Sequence, residues 1–294
     1  MQKFIDDLFN IMSERFDGTI TRKMISKANI GETTGFVLRK KGSNCAPTIY
    51  VESYYDSYAS GYATVEEIAD EIFKLIDENP APDTDVDLDQ LTDWEFVKDK
   101  IRPVLISTVG NEEYIKNLAY SKTRTDLVIL YQIELVNDGN ACQCIKIQKA
   151  ALKIYGVTVT ELKKVAFQNL DGHIRFVNMA QELGFLIGVP EEEEMGEFPM
   201  WILSNDAKTY GAAAIFSSKA MKEVTTKMKT SQLYILPSSI HEVIILDATK
   251  PDTAGKTEEL KAMVREVNAT QVAPKDKLSD NVYFYNGKTI EVVE

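Results

Sequence analysis

Arg124-Thr125-Asp126-Leu127-Val128-Ile129-Leu130-Tyr131-Gln132-Ile133-Glu134-Leu135-Val136-Asn137-Asp138-Gly139-Asn140-Ala141-Cys142-Gln143-Cys144-Ile145-Lys146-Ile147 is the stretch that decides the fold class. Two strand-like runs, Arg124 to Leu135 and Ala141 to Ile147, flank an Asp-Gly pair, and glycine accepts the positive φ that a tight hairpin turn requires. Strands joined by so short a turn lie antiparallel. Similar units flank this one. Upstream, an amphipathic helix carries Phe4, Ile5, Leu8, Phe9 and Met12 on one stripe, and Thr19 to Ser26, Thr34 to Lys40 and Pro47 to Glu52 read as a meander. Thr64 with Glu67 three residues later is a capping-box signature before Val65, Ile68, Ala69, Ile72, Phe73 and Ile76, and Asn79-Pro80-Ala81-Pro82 closes that helix. Ile101 to Thr108 reads as a further strand, and Gln148 to Tyr155 and Thr158 to Asn169 read as helices.

Downstream, Met200 to Leu203, Gly211 to Phe216, Gln232 to Leu236 and Glu242 to Asp247 read as strands. Ser217 to Met228 and Lys256 to Asn268 read as helices, and Asn286-Gly287 as the turn of a terminal hairpin. This order predicts an α+β fold of antiparallel sheets, built from strand-strand-helix units with helices packed on one face, and argues against a doubly wound parallel sheet. The like charges of Glu191-Glu192-Glu193-Glu194 repel one another and bury nothing. They predict an acidic linker over 190–198, between an N-terminal domain at 1–189 and a C-terminal domain at 199–294.

In 294 residues, 44% apolar side chains, fifteen Gly and nine Pro exclude a fibrous, low-complexity or wholly disordered chain. Apolar runs such as Val243-Ile244-Ile245-Leu246 fall far short of the roughly 18 residues that cross a bilayer. The start, Met1-Gln2-Lys3-Phe4-Ile5-Asp6-Asp7, places acids where a signal peptide needs bases, and three cysteines cannot make a disulfide framework. The expectation is a cytoplasmic protein with no membrane partner. The net charge of -12 is concentrated: Glu66 to Asp99 holds thirteen acids and two lysines, and the remainder is nearly neutral. Nucleic-acid binding requires a basic face, and the only tight basic cluster is Arg39-Lys40-Lys41. Nucleic acid is therefore an unfavoured partner. Carboxylates spaced like phosphates can instead imitate it toward a basic protein groove, and a solvated helix and loop have the same composition.

Neither a P-loop nor a dinucleotide-binding glycine pattern is present, and two histidines sixty-eight residues apart form no zinc motif. No metal and no cofactor is expected. Cys142-Gln143-Cys144 reads as strand residues. Asp83-Thr84-Asp85-Val86-Asp87-Leu88-Asp89 alternates oxygens like a calcium loop, but Leu88 replaces the turn glycine and Trp94 the bidentate glutamate. Ser238-Ser239-Ile240-His241-Glu242 holds the groups of an acyl-transfer site, and also those of an ordinary turn before a strand. Five of the thirteen tyrosines, Tyr50, Tyr54, Tyr55, Tyr58 and Tyr62, fall within thirteen residues between a strand and a helix. Tyrosine supplies rigid contact area with a polar end, which suits recognition, though some of the five must cover the core.

Leu233-Tyr234-Ile235-Leu236-Pro237-Ser238-Ser239-Ile240-His241-Glu242-Val243, Met263-Val264-Arg265-Glu266-Val267-Asn268-Ala269-Thr270-Gln271-Val272-Ala273-Pro274 and Leu278-Ser279-Asp280 resemble domain-of-unknown-function family 5688, as do Pro47-Thr48-Ile49-Tyr50 and the helix after them. The resemblance spans essentially the whole chain and implies a setting in gut Firmicutes and their mobile elements. The order of elements is more weakly similar to the YtpP-type uncharacterised family. Neither resemblance supplies an activity, a cofactor or a catalytic residue.

Two functional expectations follow. The first is a non-enzymatic module that binds another protein, in its sharper form an acidic inhibitor or decoy in phage and mobile-element conflict, through Tyr50, Tyr54, Tyr55, Tyr58 and Tyr62 with Asp83, Asp85, Asp87 and Asp89. The second is a small-molecule-binding protein or enzyme, with Ser238, Ser239, His241 and Glu242 meeting Arg265, Asn268 and Gln271 of the next helix.

Overall fold

The computed structural model describes residues 1–42, 46–78, 89–137, 142–186 and 199–294. The chain is α+β and forms two compact units, Met1–Asp89 and Gln90–Glu294. In the first, helix α1 (Gln2–Arg15) precedes strands β1 (Gly18–Lys27), β2 (Gly31–Lys40) and β3 (Thr48–Tyr50), then helices α2 (Tyr55–Ala59) and α3 (Val65–Glu78). The strands form one antiparallel sheet in chain order. Phe4, Leu8 and Met12 of α1, Ile68 and Ile72 of α3, and Phe36 and Leu38 of β2 share its core. Each such side chain contributes about 1.5–3 kcal/mol by leaving water. The expected capping box forms: the Glu67 amide donates to Thr64 Oγ1 at 3.2 Å and the Thr64 amide to Glu67 Oε2 at 2.8 Å.

The second unit holds α4 (Trp94–Val97), β4 (Ile101–Ser107), α5 (Glu112–Ile115), β5 (Tyr120–Lys122), β6 (Leu127–Asn137), β7 (Cys142–Lys146), α6 (Lys149–Tyr155), α7 (Val159–Leu170), β8 (Ile174–Asn178) and α8 (Met179–Leu186). It continues with β9 (Met200–Asn205), α9 (Ser218–Met228), β10 (Leu233–Pro237), β11 (Val243–Asp247), α10 (Thr257–Thr270), β12 (Tyr283–Tyr285) and β13 (Ile290–Val292). Strand β6 pairs antiparallel with β4, β5 and β7, so the hairpin read from the sequence is formed. A second antiparallel sheet runs β13-β12-β10-β11-β9-β8. Alternation sets the faces. Leu127, Ile129, Tyr131 and Ile133 of β6 share the main core with Leu233 and Ile235 of β10 and with residues of α7 and α9. Tyr234 and Leu236 join Leu260 and Val264 of α10 in a separate cluster.

Three expectations change. The chain divides into its compact units between Asp89 and Gln90 and not at 190–198, which lies outside the described residues. Strands on either side of that run, β8 and β9, pair in one sheet, so residues 1–189 and 199–294 do not have separate cores. Gly211–Phe216 is a 3-10 turn instead of a strand. Ala212, Ala213 and Ala214 are fully buried, and a short run of small buried residues carries no period that separates strand from helix. Strand β8 and helix α8 were not expected; Asn178, whose Oδ1 accepts from the Ala180 amide at 3.0 Å, starts that helix. Among the described residues no helix is long and apolar enough to cross a membrane.

Candidate functional site

Five segments of the second unit line a cavity of about 260 Å³. The segment leaving β5 supplies Lys122, Thr123 and Arg124, α7 supplies Lys163, and the β12–β13 hairpin supplies Tyr285, Lys288, Thr289 and Ile290. The 3-10 turn and the start of α9 complete the wall. Local chemistry explains each position. Thr123 Oγ1 donates to the Leu127 carbonyl at 2.6 Å, which turns the chain between Lys122 and β6. Ser217 caps α9, its Oγ accepting from the Ala220 amide at 3.0 Å while donating to Asp171. Gly287 adopts φ +91°, as the hairpin turn demands, and Asn286 Oδ1 accepts from the Lys288 and Thr289 amides.

Lys122, Arg124, Lys163 and Lys288 give this wall four cations, and none of them pairs with a carboxylate among the described residues. Asp171 is held by the Ser217 hydroxyl. The positive end of the α9 dipole adds to the same field. An anion about 4 Å from one such cation gains roughly 1 kcal/mol in bulk water and about 4 kcal/mol near a protein surface. No motif flagged this cavity, because its cations come from well-separated elements; the signal was Lys122 and Arg124 flanking one turn residue.

The Ser-His-Glu cluster has a different fate. His241 Nδ1 accepts from the Tyr210 amide at 3.1 Å, and Nε2 lies 3.4 Å from Asp276 Oδ1. Ser239 Oγ accepts from the His241 amide at 3.0 Å, and Ser204 Oγ donates to the His241 carbonyl at 2.8 Å. Both ring nitrogens are thereby engaged, so the imidazole does not activate Ser239. Gly211 packs so tightly here that a Cβ would stand 2.7 Å from the His241 carbonyl oxygen and 2.5 Å from the Asn205 amide nitrogen. Burial and the nearby charge of Glu182 raise the Glu242 carboxyl above its ordinary value. Burial also acts on Glu182, but hydrogen bonds from Lys208 and Arg175 outweigh it and hold Glu182 low.

The profile of DUF5688, a family of unknown function, matches residues 1–287. The chain belongs to DUF5688. No curated protein and no solved structure matches it.

Within the DUF5688 chain, the second half of the sequence-predicted polar site is engaged elsewhere. Asn268 Nδ2 donates to the Ser279 carbonyl at 2.8 Å and to Asp280 Oδ1 at 2.9 Å. Arg265 acts electrostatically on Asp280, and Gln271 is exposed with Nε2 3.4 Å from Thr270 Oγ1. Ser238 is half-buried after β10. The structure thus places Ser239, His241 and Asp276 together, and Asn268 with Ser279 and Asp280. From the latter group Ser279 Oγ, together with the buried Tyr283 hydroxyl, donates to the Asp126 carboxylate, each at 2.8 Å. Burial, then Asp126, raises the Tyr283 phenol above its ordinary range.

Four of the five clustered tyrosines cover their own unit. Tyr54, Tyr55 and Tyr58 pack on its core, with the Tyr58 ring 4.9 Å from that of Phe4. The Lys27 ammonium sits 3.4 Å from the Tyr50 ring centroid. Tyr62 is 88% exposed. Asp83, Asp85 and Asp87 lie outside the described residues, and Asp89 is exposed. Trp94, at the calcium-loop position of the bidentate glutamate, instead packs 5.8 Å from the Tyr155 ring. Cys142 and Cys144 lie on β7 as read.

Proposed function

We propose that this DUF5688 protein is a binding protein that holds the anionic group of a small molecule in the basic cavity of its second unit. The observation that carries this reading is four cations lining one cavity with no carboxylate paired to any of them among the described residues. Elsewhere in the unit, Arg175 and Lys208 are instead neutralised by Glu182. The small-molecule expectation is thereby moved from Ser238–Gln271 to a different wall of the same unit.

Titration calorimetry of the full chain with inorganic phosphate tests the reading. Binding should weaken with added salt and fall at least tenfold in Arg124→Glu/Lys163→Glu, with the melting temperature unchanged. Salt-insensitive binding, or equal binding by the variant, would overturn it. The macromolecular reading rests on Tyr62, exposed beside the acidic face of α3. In that reading Tyr62→Ala, or Asn at Asp83, Asp85, Asp87 and Asp89, removes a protein partner from affinity purifications. Unchanged recovery would end it.

A further inference from the structure

Resting on the anion-binding reading, we infer that the cavity's ligand is a small phosphomonoester with an apolar, ring-bearing body. Charge is the first argument. A carboxylate brings one negative charge and two oxygens to a wall with four cations, whereas a phosphomonoester carries close to two charges near neutral pH on three terminal oxygens. Donor supply matches: each lysine ammonium offers three N–H groups and the Arg124 guanidinium five. A phosphodiester has one charge and fewer terminal oxygens, so it fits less well.

Size and surface give the second argument. The cavity of about 260 Å³ far exceeds the roughly 10–15 Å³ that admits one water, and is more than a bare phosphate needs. Phe216, Met221, Tyr285 and Ile290 form its apolar surface. A bare phosphate leaves that surface wet, while a ring covers it and can lie offset against Phe216 or Tyr285. No hydrogen bond from the Tyr285 hydroxyl occurs among the described residues, so it is free to meet a polar atom of the body. The volume lies just below the roughly 300–1,000 Å³ of drug-sized ligand pockets, which favours a small free metabolite over a protein segment.

Titratable groups near the ligand are few. The wall holds Lys122, Arg124, Lys163, Lys288 and Tyr285; the adjacent charged groups are Asp171 behind Ser217, Lys219 on the Asp171 carbonyl, Asp126 held by Ser279 and Tyr283, and Glu291, which accepts from the Thr289 hydroxyl. The pH dependence of binding therefore reports the ligand's second ionisation, near pH 6.

The test titrates the full chain with phenyl phosphate, inorganic phosphate, benzoate and a ten-residue phosphotyrosyl peptide. Phenyl phosphate should bind about tenfold more tightly than inorganic phosphate or benzoate, and its affinity should rise several-fold from pH 5 to 7 while benzoate stays flat. Lys163→Ala, and separately Lys288→Ala at the hairpin tip, should each weaken phenyl phosphate about tenfold. Benzoate binding as tightly as phenyl phosphate, with no pH rise, would overturn the phosphomonoester and leave the anion site standing. A peptide tenfold tighter than phenyl phosphate would overturn the small-molecule source. If none of the anions binds, both readings fall together.

Discussion

The basic cavity and the His241 loop belong to one unit and are both rich in polar groups, yet they differ in what those groups already do. Around His241 the imidazole nitrogens, the Ser204 and Ser239 hydroxyls and neighbouring backbone groups bond one another. Around the cavity, four cations face a shared space without a carboxylate among the described residues to neutralise them. Polar residues close in sequence are easily recruited to hold a turn. A binding site is marked by groups whose interactions remain incomplete after folding.

That contrast can be broken by substitutions that separate stability from binding. The largest effect belongs to Gly211→Ala: its Cβ collides with two backbone segments, and chemical denaturation should record a loss of about 3 kcal/mol, the upper end for overpacking. Phosphate affinity measured well below the lowered midpoint should stay within twofold. A parallel loss of affinity would merge the two regions into one site. Next comes the tyrosine pair: Tyr58→Ala, which uncovers Phe4, should cost about 2 kcal/mol, whereas Tyr62→Ala should change stability by less than about 0.5 kcal/mol. Equal losses would mean that Tyr62 also packs. His241→Ala should cost about 1 kcal/mol, the ordinary worth of its hydrogen bonds, and leave anion binding unaltered.

The smallest effect sharpens the comparison through pH. Because the folded-state pKa of Glu242 is raised, its charged form opposes folding at neutral pH, and protonation removes that opposition as pH falls. Glu182 has the opposite sign: its folded-state pKa is lowered, so its contribution is present above the unfolded-state value and disappears on acidification. Glu242→Gln should therefore raise the melting temperature at pH 7.5 and have less effect at pH 5. Equal shifts at both pH values would assign the gain to packing instead of charge.

Much of the fold was legible because its signals are local. Thr64 and Glu67 declare a helix start three residues apart, and Asp138-Gly139 separates two β-rich runs whose pairing is observed. Gly211–Phe216 misled because complete burial removes the alternation that defines a strand. Strand β8 escaped because its five residues run straight into α8. The cavity was illegible for a different reason: the Lys122–Arg124 pair, Lys163 and Lys288 are distant in sequence and assembled only by the packing of a loop, a helix and a hairpin. Conversely, Ser238 to Glu242 drew notice through adjacency alone, and the fold uses those residues to hold a turn.

Asp126 gives the cavity a further property. Its carboxylate accepts from Ser279 and Tyr283, and its carbonyl from Thr108, so the loop bearing Arg124 is fastened to β12, the strand bearing Tyr285. Two walls contributed from opposite ends of the unit's sequence are thus fixed before any ligand arrives. Association should follow a single exponential whose rate rises linearly with ligand concentration and falls with ionic strength, with no slow rearrangement phase.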